Sequence, residues 1–291
     1  MALKSLPLFD RTERPDYIPR VAAVHDLCGY GKCSLGVAIP VISAGGCDVC
    51  PVPTGLFSSH TAFPIWYMND TTAMMEPYLD AWEKVDIDLD AIYSGFLGAP
   101  EQVNSIQRLY RTYPHALRIV DPVMGDNGKM YPTYTKELCA SMAELADGAD
   151  ILTPNLTEAS IILGIDYPGQ NLTDDEVGDI INMLRNRGAK NVVIKGIDRD
   201  DGYLRNFVAG RNTPLTELIN ERLPFMLHGT GDLFCSCLTA GIMAGKDLET
   251  SVDFAGRFVH DAMIVTLEQP DFMSRGVSFE PLMGKISELL A

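Results

Sequence analysis

Short apolar runs that alternate with segments of helical periodicity constrain this chain more than any other feature. Runs at 21–24, 49–52, 91–93, 117–120, 151–152 and 192–194 read as strands, with helical patterns between them near 34–44, 72–83, 101–111, 135–146, 157–163 and 174–187. Such a βαβ rhythm predicts an α/β fold with a mainly parallel central sheet and helices on both faces. Residues 202–208 add an antiparallel strand or hairpin, and the chain after Asp232 reads as entirely helical. The 291 residues suffice for one large α/β domain or two small ones. With no repeat, low-complexity tract or linker-like shift, the expectation is one domain over 20–291. Residues 1–19 form an extension that packs on the surface or on a partner subunit.

Composition narrows the function classes. With 46% hydrophobic and 21% charged residues, the chain looks like an ordinary globule. No apolar run approaches the ~18 residues of a membrane span, and the start lacks the apolar core of a signal peptide, so cytoplasm is the default. The net charge of −16 argues against nucleic acid and anionic membranes as partners. An acidic chain can still hold a nucleotide if backbone N–H groups, a few cations and Mg²⁺ compensate locally. Seven cysteines in a chain without secretory features suggest reduced thiols. Cys47 and Cys50 have a metal-like spacing but sit in a strand, with no second pair to complete a zinc site.

In open parallel sheets, functional groups gather at the carboxyl ends of the strands. Here those ends read His25-Asp26-Leu27-Cys28-Gly29-Tyr30-Gly31, Thr54 to Thr61, Ser94-Gly95-Phe96, Asp121 to Asp126, Thr153 to Glu158, and Lys195-Gly196. All are polar or glycine-rich, and together they predict one crevice. Gly29-Tyr30-Gly31 lacks the third glycine of a dinucleotide fingerprint, position 34 being Ser34. That loop suits close approach of a small ligand, with Asp26 available to a ring substituent. His60 and Lys195 each suit either a ligand contact or an ordinary structural place. Trp66, Tyr67 and Trp82 read as packing residues, and Met74-Met75 as core or interface.

His228-Gly229-Thr230-Gly231-Asp232 opens an apolar segment through Leu233, Phe234, Leu238, Ile242 and Met243, one face of a helix. A glycine turn feeding a helix N-terminus presents free N–H groups and the positive end of the dipole, which suits phosphate. Asp232 in the first turn can accept the proton of an attacking hydroxyl. The same dipole is expected to lower its pKa and make it a weak base. Asp121, Asp126 and Glu158 would crowd a phosphate unless Mg²⁺, held directly or through water, compensates them. Otherwise they are a strand end, a turn with Asn127-Gly128, and a helix start.

Taken together, these loops resemble the pyridoxal/pyridoxamine kinases, the vitamin B6 branch of the ribokinase-like superfamily. The resemblance runs from about 21 to 267. Gly229-Thr230-Gly231-Asp232 is similar to the superfamily's anion hole and catalytic aspartate. Phe57-Ser58-Ser59-His60-Thr61 resembles the F-S-N-H-T loop that encloses the pyridine ring. Asp121-Pro122-Val123-Met124-Gly125-Asp126 and Thr153-Pro154-Asn155-Leu156-Thr157-Glu158 resemble the D-P-V-[ML]-G and T-P-N-x-x-E segments that serve nucleotide and magnesium.

The resemblance implies a three-layer α/β/α sandwich and ATP-dependent phosphorylation of a B6 vitamer at its 5′-hydroxymethyl group. It casts Asp232 as general base and Gly229, Thr230 and Gly231 as the anion hole. Asp121 and Glu158 would organise Mg²⁺, with Asp126 beside them, and Thr153, Asn155 and Lys195 would approach the ATP phosphates. Phe57, His60 and Thr61, with Asp26, would border the ring, and Tyr131 would belong to a loop covering the substrate. A homodimer and a monovalent cation such as K⁺ are further implications. The chain departs from the family at Asp26, where a serine is typical and hydroxymethylpyrimidine kinases are acidic, at Ser59, and at Phe96. Hydroxymethylpyrimidine kinase is therefore the nearest alternative. A non-catalytic nucleotide- or B6-binding protein is a second, disfavoured by Asp232, and a sugar kinase fits Phe57 and His60 poorly.

Overall fold

A computed structural model describes residues 6–12, 14–210 and 213–290, and strands alternate with helices along them. The first half comprises β1 (Arg20–Tyr30), α1 (Leu35–Ala44), β2 (Asp48–Ser59), β3 (Met68–Asp70), α2 (Thr72–Lys84), β4 (Ala91–Ser94), α3 (Glu101–Thr112) and β5 (Leu117–Val120). There follow β6 (Gly125–Asp126), β7 (Lys129–Met130), α4 (Lys136–Glu144), β8 (Ile151–Leu152), α5 (Leu156–Leu163) and α6 (Asp174–Arg187). The chain continues with β9 (Asn191–Asp198), β10 (Tyr203–Ala209), β11 (Thr216–Glu221), α7 (Thr230–Met243) and α8 (Leu248–Leu267), then short helical turns.

Nine strands form one sheet in the order β11-β10-β9-β8-β5-β4-β1-β2-β3, and β6 pairs with β7 apart from it. From β9 to β2 every neighbouring pair is parallel, while β3, β10 and β11 add antiparallel margins. β1 bonds to both β2 and β4, so the direction of winding reverses there and leaves a crevice at the strands' carboxyl ends.

Strand periodicity explains the layers. Ala22, Val24, Ile92, Val120 and Val192 face one side, where Met75, Val103, Leu138, Leu156 and Ile180 of α2 to α6 cover them. Val21, Ala23, Tyr93, Ile119 and Val193 face the other, against Val41, Leu238 and Phe258 of α1, α7 and α8. The result is the expected three-layer α/β/α sandwich around a mainly parallel sheet. Buried on both faces, the central strands read as continuous apolar runs.

Three local readings change. The segments 25–31 and 54–61 are largely strand where loops were expected, because β1 and β2 stay paired beyond a register shift between His25 and Leu27. Leu27 lies opposite Leu56 and Cys28 opposite Phe57, and β3 adds a third strand at Gly55 to Phe57. Glycine and polar residues obscured this extension of the two strands. Strand β11 completes the hairpin with β10 and was not foreseen. Tyr67 is 67% exposed, so it is not a packing residue. In the N-terminal stretch, Leu8 and Phe9 rest against the α1/α7/α8 side of the body, and the Tyr17 hydroxyl donates to Asp90 at 2.8 Å. Residues 1–5 and 13, also read as extension, lie outside the described residues. Among the described residues no helix is long and apolar enough to cross a membrane.

Candidate active site

The start of α7 is built around Gly229. This residue has φ +81°, and a Cβ on it would lie 1.9 Å from the Lys32 carbonyl oxygen. Only glycine fits both constraints. No side chain caps the helix, because its N-cap is Gly229 itself, and the Thr230 hydroxyl donates back to the Leu227 carbonyl at 3.1 Å. The first N–H groups of α7 are thus left for an anion. A Cβ at Gly231 would lie 3.7 Å from Lys195 Nζ, so this amine, inside β9 and not at the strand end the sequence suggested, stands beside the same helix start.

Lys195 donates to Asp121 Oδ1 at 2.5 Å, and the aspartate is 1% exposed. Thr153 Oγ1 lies 3.1 Å from Cys235 Sγ and 3.4 Å from Asp121 Oδ1. Desolvation opposes charge on Lys195, but Asp121, Cys235 and Glu158 outweigh it and hold the amine well above its usual pKa. A fixed cation therefore accompanies the uncapped helix, as an anion site in so acidic a chain requires.

Asp232 is partly exposed and its Oδ2 accepts the Ser34 N–H at 2.9 Å. Burial, with the charges of Asp121 and Asp26, pushes its pKa up to about 7, against the pull of the Ser34 N–H and Lys195. The expected lowering by the helix terminus is thereby overturned: desolvation and two carboxylates outweigh the dipole. Ser34 itself has φ +51° and ψ −130°, a conformation that costs a non-glycine residue about 1–3 kcal/mol. Its hydroxyl does not cap α1 but donates to Asp26 Oδ1 at 2.5 Å. Burial pushes Asp26 up to about 6.

Asn155 and Glu158 form a capping box at α5: Asn155 accepts the Glu158 N–H at 2.9 Å, and Glu158 accepts the Asn155 N–H at 2.8 Å. Asn155 also donates to the Gly125 carbonyl at 2.8 Å, tying α5 to β6. Burial pushes Glu158 up to about 8 despite Lys195. Asp126 accepts from Asn127 in its turn, and burial raises its pKa. Among the described residues no three His, Cys, Asp or Glu side chains converge as a metal cluster, so Asp121, Asp126 and Glu158 do not form a direct three-carboxylate site. The buried Asp121 Oδ2 has no hydrogen-bond partner, and Glu158 is a buried carboxylate short of positive charge. Both fit a cation that brings its own waters or phosphate oxygens.

The aromatic side lies at the β1–β2 ribbon. Phe57 is buried beside Cys28 and Cys33, its ring 5.6 Å from Phe96 and 5.8 Å from Trp66, and Tyr134 stands 5.6 Å beyond Phe96. His60 is buried, and the Ser274 carbonyl at 2.8 Å must take its Nε2 proton, leaving Nδ1 to accept from Ala62 at 3.3 Å. It stacks on His228 at 4.5 Å, and burial lowers its pKa, so it is a neutral pin between the ribbon and the C-terminal segment. Thr61 follows it, partly exposed. Tyr131 is 37% exposed, and its phenol is raised by burial, with the charges of Glu158 and Asp126. Sequence reasoning missed Ser34 and Tyr134. A serine before an apolar helix reads as an ordinary cap, and nothing local signals the positive φ.

Residues 43–273 match the phosphomethylpyrimidine kinase family. The pyridoxine/pyridoxal/pyridoxamine kinase of Bordetella avium is 31% identical over 258 residues, 84% of this chain and 85% of that protein. A Bacteroides thetaiotaomicron protein, provisionally described as a phosphomethylpyrimidine kinase and crystallised with pyridoxal, superposes with a TM-score of 0.89 at 32% identity. That alignment covers 93% of this chain and 96% of the other. Pyridoxal kinase from Lactobacillus plantarum superposes with a TM-score of 0.86 at 26% identity, over 94% and 98% of the two chains. The chain therefore belongs to the phosphomethylpyrimidine kinase family, as a relative of pyridoxal kinases with the ribokinase-like fold.

Proposed function

We propose that the protein transfers the γ-phosphoryl group of ATP to the 5′-hydroxymethyl group of a B6 vitamer, whether pyridoxal, pyridoxamine or pyridoxine. The observation that carries this reading is the Asp232 carboxylate beside an uncapped helix start and the partly buried Lys195. With Oδ2 engaged by Ser34, Oδ1 is the oxygen left to receive an alcohol. The hydroxyl oxygen bonds to the γ-phosphorus, the bond to the bridging oxygen of ADP breaks, and the proton goes to Asp232. A carboxylate titrating near 7 accepts that proton more readily than an ordinary aspartate. The N–H groups of Gly229, Thr230 and Gly231, with Lys195, face the charge on the moving phosphoryl group. Thr153 and Asn155 are assigned to the phosphate side.

Asp121 and Glu158 would hold Mg²⁺, with Asp126 in an outer position, and the ion supplies charge neutralisation to the phosphates when bound. Phe57, Phe96 and Tyr134 offer apolar faces to a flat ring, with Thr61, His60 and Asp26 at its edge. One kinase domain over 20–291, with 1–19 as extension, belongs to the same reading and is supported by nine strands in one sheet. So do a cytoplasmic location, a homodimer and a K⁺ site; sedimentation and K⁺ replacement within the assay below test the last two.

The test is ATP-dependent phosphorylation of pyridoxal, pyridoxamine, pyridoxine and hydroxymethylpyrimidine side by side. The expected result is turnover of at least one B6 vitamer, with Asp232→Asn slower by roughly 10²–10⁴. A wild-type rate in Asp232→Asn overturns the base assignment. Preference for the pyrimidine, which the acidic Asp26 favours, replaces the B6 reading with the hydroxymethylpyrimidine one. Binding without ATP consumption sinks both.

A further inference from the structure

Ser34 holds two carboxylates at once. Its N–H donates to Asp232 Oδ2 at 2.9 Å and its Oγ donates to Asp26 Oδ1 at 2.5 Å, from a buried position with φ +51°. A serine adopts that backbone only where surrounding contacts over-determine it. Local needs do not explain it, since the hydroxyl forgoes the cap of α1 that its position offers. The two carboxylates belong to different elements, the carboxyl half of β1 and the first turn of α7, and Ser34 is the hydrogen-bonded bridge between them.

We infer that Ser34 is a positioning residue that fixes the base Asp232 against Asp26, so that the carboxylate meeting the alcohol and the carboxylate at the ring edge keep one spacing. This deepens the kinase reading and rests on it for the roles of the two aspartates. The clamp also transmits charge. The Ser34 hydroxyl stabilises the Asp26 anion, and that anion is one of the charges that raises Asp232. Other groups facing Asp232 are Asp121, Lys195, Cys28, Cys33 and Tyr93, while Cys28, Cys33 and Tyr134 face Asp26. None of these is hydrogen-bonded to both aspartates in the way Ser34 is.

Two variants separate the clamp from mere structure. Ser34→Ala keeps the N–H and Cβ but loses the hydroxyl, and Ser34→Gly also releases the backbone strain. We expect both to lose roughly ten-fold in kcat, with the KM for ATP unchanged and Ser34→Gly melting higher than Ser34→Ala. Without its hydroxyl donor, Asp26 titrates at higher pH. Less negative charge then faces Asp232, so the acid limb of the kcat profile moves to lower pH. Carboxyl-carbon NMR titration of the whole protein reads the same two shifts without turnover. If wild type phosphorylates none of the four alcohols, the kinase reading fails while this titration still judges the bridge. Superimposable titration curves in wild type and Ser34→Ala overturn the proposal, as does a loss of stability with kcat and pH profile intact.

Discussion

At the scale of single residues, the site concentrates carboxylates whose folded pKa values exceed their ordinary ones: Asp26 at about 6, Asp232 at about 7 and Glu158 at about 8. Each binds a proton in the folded state over a pH range where the unfolded chain has released it. Folding is therefore weakened as pH rises from about 4 toward 8, and the full penalty remains above the folded values. Asp232→Asn removes one such charge while its amide oxygen can still accept the Ser34 N–H. We expect this variant to melt a few degrees above wild type at pH 8, with the gap closing toward pH 4, by scanning calorimetry across that range. A variant that melts no higher than wild type at pH 8 would show that Asp232 carries no burial cost. If Asp232 is the base, kcat/KM is expected to show an acid limb near pH 7.

At the scale of elements, helix starts organise the crevice in two different ways. α5 is closed by a reciprocal capping box, and its Asn155 also grips the Gly125 carbonyl. α7 is left open behind a glycine that no larger residue can replace. The first arrangement fixes a buried carboxylate, and the second leaves donors for an anion. Asn155→Ala removes the cap and the β6 tether together and is expected to cost about 1–2 kcal/mol in denaturant unfolding. It should also raise the KM for ATP more than that for the alcohol if, as proposed, Asn155 serves the phosphate side. Equal effects on both substrates would argue that Asn155 is only a cap.

At the scale of the whole molecule, the proposed kinase activity would require a chain of net charge −16 to attract a polyanionic nucleotide. Capture falls to local donors while the long-range field opposes approach. Raising tetramethylammonium chloride from about 0.01 to 0.15 M shortens the screening length from roughly 30 to 8 Å. We expect kcat/KM for ATP to rise over that interval while that for pyridoxine stays flat. A fall for ATP would mean that the crevice itself steers the nucleotide by a positive field.

The sequence alone determined the α/β class, the mainly parallel sheet and the polar, glycine-rich character of the strands' carboxyl ends, because apolar period, glycine turns and strand-end polarity are local and leave a local trace. It could not place Asp232 near pKa 7, since the dipole is written in the neighbouring residues whereas the opposing carboxylates arrive from β1 and β5. Nor could it show that Cys28 to Tyr30 and Leu56 to Ser59 are a paired ribbon, because strand partners more than twenty residues apart are chosen by tertiary packing. His60 became a pin through the distant Ser274, and Ser34 a bridge through two aspartates on separate elements. Tertiary structure decided those points because burial and charge depend on what lies across space, which order along the chain does not record.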